Sequence, residues 1–508
     1  MTNNRNIHGA TSDLIDAFTE TVRRYPGRPA IVHHGQHLSY RQLDLLARSL
    51  AERLGAAPGV VAVPATHVPD TVVGLLGVLA AGGAYCPVDP AFPPQRRREM
   101  LTAAGCRTGV GTDPELGLEP VGLPRLADSH GDGPRRRPEP EQPAYLLFTS
   151  GSTGQPKPVV TPRRAISATV DSLRTLFGLT PEDRVLQFAS LNWDTCFEEI
   201  LPTLTTGAAL VLDREAHSGS FPRFLRMIER ERITVLDLPT AFWHELVLHL
   251  TEEGVTLPGR VRLVVIGGEA ANPARIADWA ALDTGRIRLL NTYGSTETTL
   301  ITHAVDLHGP SGAARERAWA AGDRVPIGRA LPHVRERIDE RGELLIGGPA
   351  VALGYLGLPE ATAARFTEDA EGERWFRTGD RVSRAPDGVL THQGRLDGEL
   401  KVRGIRVDPA EVEAHIGGHP GVHAVAVTGA TVAGRSALVA YLVPRAGAAA
   451  GSLDAEVRAY LRDRVPGHLV PSRITVVPEL VLTASGKIDR AASHRRHAAP
   501  PAAAPAHP

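Results

Sequence analysis

The sequence AYLLFTSGSTGQPKPVV at residues 144–160 decides the fold. Its first five residues are apolar and predict a buried strand, which leads directly into a loop of Thr, Ser and Gly that ends at Lys157. Glycines let backbone N–H groups turn toward a phosphate, while hydroxyls and an ammonium group add donors and charge. The residues that supply these groups are Thr149, Ser150, Gly151, Ser152, Thr153, Gly154 and Lys157.

The loop differs from the Walker A pattern G-x-x-x-x-G-K-[ST], because Gly151, Gly154 and Lys157 follow one another at intervals of three. A flexible Ser/Gly linker is the alternative interpretation. The apolar strand that runs straight into the loop argues against a linker, and we therefore predict a phosphate-binding loop.

Composition narrows the class of protein. With 508 residues the chain is too long for one ordinary domain and long enough for a large core. The formal net charge of −1 gives no general attraction to nucleic acid or to an anionic membrane, so neither is expected as a partner. Three cysteines form no disulfide or metal pattern. The chain has no apolar signal segment and no apolar run that could span a bilayer, and we expect a soluble, cytoplasmic protein.

Lysine is rare in this chain, although Lys and Arg together number 56. Only Lys157, Lys401 and Lys487 are lysines, so arginine occupies nearly every basic position. An ammonium group and a planar guanidinium group are not interchangeable at a site of defined geometry. All three lysines fall inside distinct sequence motifs, and we interpret them as functional.

Strand and helix patterns alternate after the loop. They predict a large α/β domain of parallel or mixed sheets with helices on both faces. Alternating patterns at residues 422–430 and 436–444 predict a small α+β domain. The tail from Ala491 is rich in Ala, Pro and His and is expected to be disordered. The expected division is 1–396, 397–490 and 491–508.

Several motifs in this order resemble those of the adenylate-forming superfamily, which contains acyl-CoA synthetases, luciferases and the adenylation domains of nonribosomal peptide synthetases. They are TSGSTGQPK (149–157), NTYGSTETT (291–299), RWFRTGD (374–380) and TASGKIDR (483–490). The resemblance spans about residues 12–490. It implies ATP and Mg²⁺ as cofactors, activation of a carboxylic acid as an acyl-AMP, and transfer of the acyl group to a thiol. Pro158, Ser295 and Leu353 depart from the family's usual Gly, Pro and Arg.

The resemblance also implies roles for residues of the nucleotide site. Tyr293 would stack on adenine, Thr296 would reach the phosphate, Asp380 would bind the ribose hydroxyls and Arg395 would contact the nucleotide. Glu297 would help to bind Mg²⁺, a hard cation that prefers oxygen ligands. Gly268, Asn291, Gly294 and Ser295 complete the ATP site that the resemblance implies.

Three catalytic roles in the C-terminal part follow from the same resemblance. Asp397 would be the hinge about which a mobile small domain turns. Lys401 would lie on the face presented for the second half-reaction. Lys487 would bridge the substrate carboxylate and the α-phosphate.

The expected substrate pocket contains three acids, Asp194, Glu198 and Asp237. Such acids repel one another unless cations neutralise them, so a substrate with two amino groups is expected. The set resembles the pockets of lysine-, ornithine- and, most closely, β-lysine-activating domains of streptothricin-like antibiotic pathways. Two simpler interpretations are an N-cap role for Asp194 and a solvent-facing Glu198. The pocket positions are Asp194, Thr195, Glu198, Asp237, Val265, Gly267, Thr292, Leu300, Ile301 and Lys487.

The function expected from the sequence is adenylation of an amino acid by a stand-alone enzyme. Only 18 residues follow Arg490, too few for a carrier domain, so a peptidyl carrier protein is expected to act in trans. The need for a small activator protein is left open. One alternative is an acyl-CoA synthetase that uses free coenzyme A. A degenerate, non-catalytic nucleotide-binding module is another, and a surface-charge interaction protein gains nothing from the near-zero net charge.

Overall fold

The computed structural model describes residues 12–129, 138–149, 156–310, 324–396, 400–402, 405–432, 435–445, 451–482 and 488–498, without the side chains of residues 401, 431 and 435. These residues form two compact units. The larger extends through residue 396 and the smaller begins at residue 400; residues 92–99 and the described ends of the segment 149–156 group with the smaller unit.

Helices and strands alternate along the chain, as the sequence predicts. The helices are α1 (Leu14–Arg24), α2 (Tyr40–Leu54), α3 (Pro69–Ala80), α4 (Pro94–Ala103), α5 (Arg163–Phe177), α6 (Thr195–Leu204), α7 (Phe221–Arg230), α8 (Thr240–Glu253), α9 (Pro273–Ala281), α10 (Pro359–Arg365), α11 (Pro409–Gly417), α12 (Leu453–Arg462) and α13 (Arg490–His497). The strands are β1 (Pro29–His33), β2 (Gln36–Ser39), β3 (Val60–Pro64), β4 (Ala84–Val88), β5 (Thr108–Val110), β6 (Glu119–Val121), β7 (Pro143–Thr149), β8 (Lys157–Pro162), β9 (Arg184–Leu186), β10 (Ala209–Leu212), β11 (Val235–Pro239), β12 (Leu263–Gly267), β13 (Arg288–Gly294), β14 (Ile301–His308), β15 (Arg329–Ala330), β16 (Arg335–Ile338), β17 (Glu343–Gly347), β18 (Gly354–Tyr355), β19 (Phe366–Glu368), β20 (Arg374–Arg384), β21 (Leu390–Arg395), β22 (Leu400–Val402), β23 (Ile405–Val407), β24 (Val422–Val432), β25 (Arg435–Pro444) and β26 (Arg473–Val476).

Within the described residues, a nine-stranded sheet forms the centre of the larger unit, in the order β15-β14-β13-β12-β11-β9-β10-β1-β2. The strands from β1 to β13 in this order are parallel, and the edge strands are antiparallel. Near-continuous apolar runs such as LVVIG in β12 are typical of strands covered on both faces. Helices α5 and α6 contribute to the core on one face, and α7, α8 and α9 contribute to the core on the other.

A second sheet of the larger unit has the order β18-β8-β7-β4-β3-β5-β6 among the described residues. The strand predicted at residues 144–148 is β7, and β8 begins at Lys157. Since β7 and β8 are neighbours, the glycine-rich segment connects two adjacent strands. A third, antiparallel sheet contains β16, β17, β19, β20 and β21.

The smaller unit contains the antiparallel pair β22–β23 and a sheet in the order β24-β25-β26. Apolar residues of α11, α12 and the sheet form its core, among them Val412, Val427, Leu438 and Val457. The predicted fold class, a large α/β domain followed by a small α+β domain, is confirmed.

The C-terminal tail differs from the prediction, because Arg490–His497 forms α13 instead of a disordered start. Three contacts explain the helix. Asp489 caps it by accepting a hydrogen bond from the Ala492 N–H at 2.8 Å. Arg490 pairs with Glu413 at 2.6 Å, and His494 Nδ1 lies 2.7 Å from the Tyr441 hydroxyl. Composition alone carries no information on such tertiary contacts.

Helices α2 and α3 approach each other closely at Gly77. A Cβ built on Gly77 would lie 2.9 Å from the Cβ of Leu50 and 2.6 Å from its Cδ2. Leu50 is fully buried, and its Cβ is fixed to the α2 backbone. Glycine at this position therefore sets the distance between the two helices.

We predict that Gly77→Ala lowers the free energy of unfolding of the larger unit. Overpacking costs about 1–3 kcal/mol, and the contact with the Leu50 Cβ favours the upper end of that range. This cost exceeds the ~1 kcal/mol that alanine gains over glycine in helix propensity. Urea unfolding followed by fluorescence of the buried Trp243 and Trp279 measures the change. The control is Gly259→Ala, where an added Cβ meets nothing within 4 Å. Leu50→Ala in the Gly77→Ala background should remove part of the clash, so the double variant should lose less unfolding free energy than the sum of the two single variants. Additive losses would contradict this account.

Candidate active site

The ends of three parallel strands supply one wall of the predicted pocket. Asp237 on β11 is the register partner of Val265 on β12, and Gly267 is the partner of Thr292 on β13. Because successive side chains alternate between the two faces of a sheet, these four positions share one face. A Cβ on Gly267 would lie 2.5 Å from the Thr292 hydroxyl, so glycine leaves the space above Thr292 open.

Helix α6 packs over the same face. Its residues Cys196 and Ile200 belong to one core cluster with Val265, Leu300 and Ile301. Asp194 precedes the helix, Thr195 is its first residue, and Glu198 lies one turn after Asp194. Three predicted pocket positions, Asp194, Thr195 and Glu198, thus lie at the start of α6, and Val265, Leu300 and Ile301 share a core cluster with that helix.

Glu198 and Asp237 lie next to each other. The two carboxyl groups are in hydrogen-bond contact, and only 7% and 5% of the two residues are exposed. The interpretation of Glu198 as a solvent-facing residue is therefore wrong. Burial raises the pKa of Glu198 well above its usual range, and the charge of Asp237 raises it further. Since neither carboxylate has a hydrogen to donate, the contact requires one shared proton.

Glu199, a neighbour that the sequence did not single out, is also buried, at 1% exposed. Its Oε1 accepts hydrogen bonds from the backbone N–H groups of Phe188 and Ala189, both at 2.9 Å, and its Oε2 accepts from Gln187 Nε2 at 3.0 Å. Three N–H donors suit a carboxylate. The signal in the sequence was the helix itself, TCFEEILPTL, whose apolar residues surround both glutamates.

Gln187 links Glu199 to His67. The amide nitrogen of Gln187 donates to Glu199 and, at 2.6 Å, to the carbonyl of Ala189, so its Oε1 is left as an acceptor. His67 Nδ1 lies 2.6 Å from that oxygen and must carry the hydrogen. Burial lowers the pKa of His67, so its neutral form is favoured.

Asp194 is half-buried and differs from the acids below it. It is the N-cap residue of α6, but its side chain makes no capping hydrogen bond. Burial raises the pKa of Asp194 to about 6, the Thr296 hydroxyl opposes this rise, and the charge of Glu297 adds to it. Its carboxylate is therefore open to a ligand that brings positive charge.

The predicted nucleotide residues Tyr293, Asp380 and Arg395 form one hydrogen-bonded group. The Tyr293 hydroxyl donates to Asp380 Oδ2 at 2.6 Å, and Arg395 Nη1 donates to Asp380 Oδ1 at 3.1 Å. His392 Nε2 lies 3.0 Å from the same Oδ1 and was not predicted from the sequence. These contacts hold the Asp380 carboxylate of β20 in one orientation.

The remaining nucleotide positions lie on β13 and in the turns that follow β12 and β13. Asn291 donates to the Pro326 carbonyl at 2.8 Å, which leaves its buried Oδ1 without a donor among the described residues. That oxygen suits an amino donor such as the one on adenine. Gly268 has a φ of +86°, and Ser295 contacts the Thr298 hydroxyl at 3.1 Å. A Cβ on Gly294 would lie 1.7 Å from the Leu300 carbonyl oxygen, so only glycine fits there.

Glu297, the predicted Mg²⁺ ligand, is fully buried. Its Oε1 accepts a hydrogen bond from the Tyr355 hydroxyl at 2.8 Å, and the ammonium group of Lys157 lies 5.8 Å from the Tyr355 ring centre. Over the described residues, no three His, Cys, Asp or Glu side chains form a metal cage. The single carboxylate fits Mg²⁺ that takes its other oxygens from phosphates and water, the usual binding mode of this ion.

The family of AMP-binding enzymes matches residues 18–356, and the C-terminal domain of AMP-binding enzymes matches residues 411–487. The chain belongs to the AMP-binding enzymes. It is an ATP-dependent adenylating ligase of the adenylate-forming superfamily, and its cofactors are ATP and Mg²⁺.

Curated relatives of this AMP-binding enzyme are longer proteins. The chain is 41% identical over 502 residues to isonitrile lipopeptide synthase of Streptomyces coeruleorubidus, with 95% of this chain and 33% of the relative covered. It is 34% identical over 520 residues to phosphinothricin tripeptide synthetase PhsC of Streptomyces viridochromogenes, with 96% and 45% covered. The chain thus spans about a third to a half of these relatives.

Solved structures share the fold. The amide bond synthetase McbA of Marinactinospora thermotolerans superposes with a TM-score of 0.81 at 28% identity, over 94% of this chain and 98% of that one. Holo-PA1221, a nonribosomal peptide synthetase protein that contains adenylation and PCP domains, gives 0.80 at 26% identity, over 96% and 84%.

Several predicted site residues lie outside the described part of this AMP-binding enzyme: Ser150, Gly151, Ser152, Thr153, Gly154, Asp397, Lys487 and the side chain of Lys401. Their roles stay predictions. None of the helices within the described ranges combines the length and the apolar character that crossing a membrane requires.

We predict that the shared proton makes stability depend on pH. The pKa of the pair is raised in the folded protein, so its stabilising effect is complete below the pKa of unfolded carboxyl groups, near 4, and is lost as pH rises through the folded pKa. One proton corresponds to a loss of about 1.4 kcal/mol of unfolding free energy per pH unit in that window. Urea unfolding of the wild type from pH 5 to pH 8 measures the slope.

The matched variants are Glu198→Gln and Asp237→Asn, in which an amide donates the hydrogen bond and no proton is required. Their stability should fall less steeply with pH than that of the wild type. Glu252→Gln, an exposed carboxyl on α8, should keep the wild-type slope. Parallel curves for all four proteins would contradict a shared proton.

Proposed function

We propose that the chain activates a basic diamino acid with ATP, and that β-lysine is favoured over lysine and ornithine. The observation that carries the proposal is the charge of the pocket. Asp194 and Asp237 both lie close enough to Glu198 to raise its pKa, and within the described residues no lysine or arginine forms an ion pair with any of the three. Buried acids without a counter-charge are costly, and a ligand with two ammonium groups supplies that charge.

Two anchoring positions account for two amino groups. Asp194 binds the amino group nearer the substrate carboxylate, and the pair of Glu198 and Asp237 binds the distal one. Asp194 and Glu198 are one helical turn apart, a spacing of about 6 Å that matches diamino acids with a short chain between their amino groups. The preference for β-lysine rests on the resemblance of the ten pocket positions to β-lysine-activating domains.

The relatives support an amino-acid substrate and a carrier-bound product. Two of them are named as lipopeptide and tripeptide synthetases, and PA1221 contains adenylation and PCP domains. We propose that the aminoacyl group passes to the phosphopantetheine thiol of a peptidyl carrier protein in nonribosomal peptide antibiotic biosynthesis. A carrier acting in trans, with or without an activator protein, is part of the same proposal.

Each half-reaction uses different side chains. Lys487 bridges the substrate carboxylate and the α-phosphate during attack on ATP, while Lys157 and the glycine-rich loop hold the other phosphates. Glu297 holds Mg²⁺, which neutralises phosphate charge. For transfer to the thiol, the small domain turns about Asp397 and presents the face that carries Lys401.

The substrate is tested by pyrophosphate exchange with β-lysine, lysine, ornithine, arginine, leucine and phenylalanine. We expect the diamino acids to be activated far better than the neutral ones. Glu198→Gln and Asp237→Asn should each raise the KM for the diamino substrate. The rise should correspond to the loss of one charged contact, roughly 1–3 kcal/mol of binding free energy. Glu252→Gln serves as a control that should leave KM unchanged. If leucine or phenylalanine gave the fastest exchange, the assignment of a basic substrate would be wrong.

The thiol acceptor is tested separately. A separately expressed carrier protein and free coenzyme A are offered to the enzyme with the amino acid that exchanges fastest, with and without a candidate activator protein. Loading of the carrier supports transfer in trans. Turnover of coenzyme A instead would favour the acyl-CoA synthetase alternative.

We predict that Lys487→Ala lowers pyrophosphate exchange by orders of magnitude. A cation between the carboxylate and the α-phosphate brings two anions together and counts most in the transition state. Lys487→Arg should also be poor, because a planar guanidinium does not replace a compact ammonium group. Transfer from a supplied aminoacyl-adenylate should persist in both variants, which serves as the control for folding. Near-wild-type exchange by Lys487→Ala would remove this residue from the mechanism.

A further inference from the structure

We propose that Glu198 and Asp237 hold one proton between them in the empty pocket and release it to solvent when the distal ammonium group of the substrate binds. The pair would then act as a proton-coupled selectivity device, and it would discriminate against neutral side chains more strongly as pH rises. This inference rests on the proposed diamino substrate and adds the proton stoichiometry of its binding.

The geometry of the pair is the first support. Glu198 lies on α6 and Asp237 on β11, both residues are buried, and apolar residues of the two elements belong to the same core cluster. Asp237 Oδ2 is fully buried and accepts no hydrogen bond from any described N–H or hydroxyl group. Two adjacent carboxylates in this setting cannot both be ionised.

The groups that face the pair offer no competing positive charge. Asp194 precedes α6, Cys196 and Glu199 lie on α6, and from β7 Tyr145 faces Glu198. Burial raises the pKa of Tyr145 and of Cys196, so both stay protonated and neutral near pH 7. The remaining neighbours are acids, which favour retention of the shared proton.

Burial and the charge of Asp237 raise the pKa of Glu199 well above its usual range, while its three N–H donors oppose that rise. It accepts three N–H hydrogen bonds, and a carboxylate is the better acceptor for them. The contact of Gln187 Oε1 with His67 keeps the amide nitrogen of Gln187 directed at Glu199. Glu199 acts as a positioning residue, and in its ionised form it raises the proton affinity of Glu198 beside it.

The proton balance is simple. The distal amino group enters as –NH₃⁺, since its pKa in water is near 10. It brings its own hydrogens to both carboxylates, so the shared proton has no remaining role and passes to the buffer. A ligand with a neutral side chain brings no charge, and the pair keeps its proton.

Isothermal titration calorimetry at pH 6 in two buffers with different ionisation enthalpies measures the released protons. The matched probes are β-lysine with 3-aminohexanoic acid, and L-lysine with L-norleucine. In each couple the second compound lacks only the distal amine, so any titration of Asp194 affects both members equally. We expect about one more proton to be released by the diamino acid than by its neutral partner.

A second measurement does not depend on variants. The Kd of the diamino acid should fall about tenfold per pH unit while the pair is protonated, relative to the Kd of the neutral compound, and should level off at higher pH.

In Glu198→Gln and Asp237→Asn the extra proton release should disappear.

The outcomes separate the two proposals. If neither diamino acid binds, the proposed function fails and this inference fails with it. If a diamino acid binds without extra proton release and with no extra pH dependence, the inference alone is overturned. His67→Gln can donate the same hydrogen bond to Gln187 Oε1 and should preserve proton release, whereas His67→Leu cannot and should reduce it. A difference between these two variants would show that His67 positions Gln187 and Glu199 and does not only fill space.

Discussion

Burial of acids without a cation beside them is the constraint on which the site depends. Removing a carboxylate from water is unfavourable unless hydrogen bonds, a proton or a counter-charge compensates. The larger unit uses a different solution for each acid. Glu199 receives three N–H donors, Glu198 and Asp237 share a proton, and half-buried Asp194 faces the hydroxyl of Thr296. Only the last two arrangements leave room for a cation.

The sequence predicted the fold well because the relevant signals are local or periodic. An apolar strand before a Gly-rich loop, alternating strand and helix patterns, and apolar β11 to β13 needed no knowledge of distant contacts. The pocket positions were predicted by motif resemblance. In the structure, four of them share one sheet face and three lie at the start of α6. The beginning of α13 was missed because its stabilising contacts with Glu413 and Tyr441 come from distant segments.

Side-chain partnerships were the least predictable part. Adjacent glutamates on a helix point about 100° apart, so one of them normally faces solvent. Helix α6 is covered on all sides, with every residue from Cys196 to Leu204 buried, so both glutamates are inside. His392 on Asp380 and Tyr355 on Glu297 were missed for a related reason, since hydrogen bonds between separate strands and turns leave no spacing pattern in the sequence.

Selectivity for charge follows from the same constraint. A site built to bind a charged group rejects a neutral analogue because its own polar groups are left unpaired. A pair of acids that can keep a proton weakens this discrimination against neutral analogues, since the protonated pair has its own hydrogen bond without a ligand. Glu199 belongs to the same buried group of acids: three N–H hydrogen bonds favour its ionised form, while burial and the charge of Asp237 raise its pKa. The charge of this group of acids therefore depends on proton concentration, and so does its preference for cations.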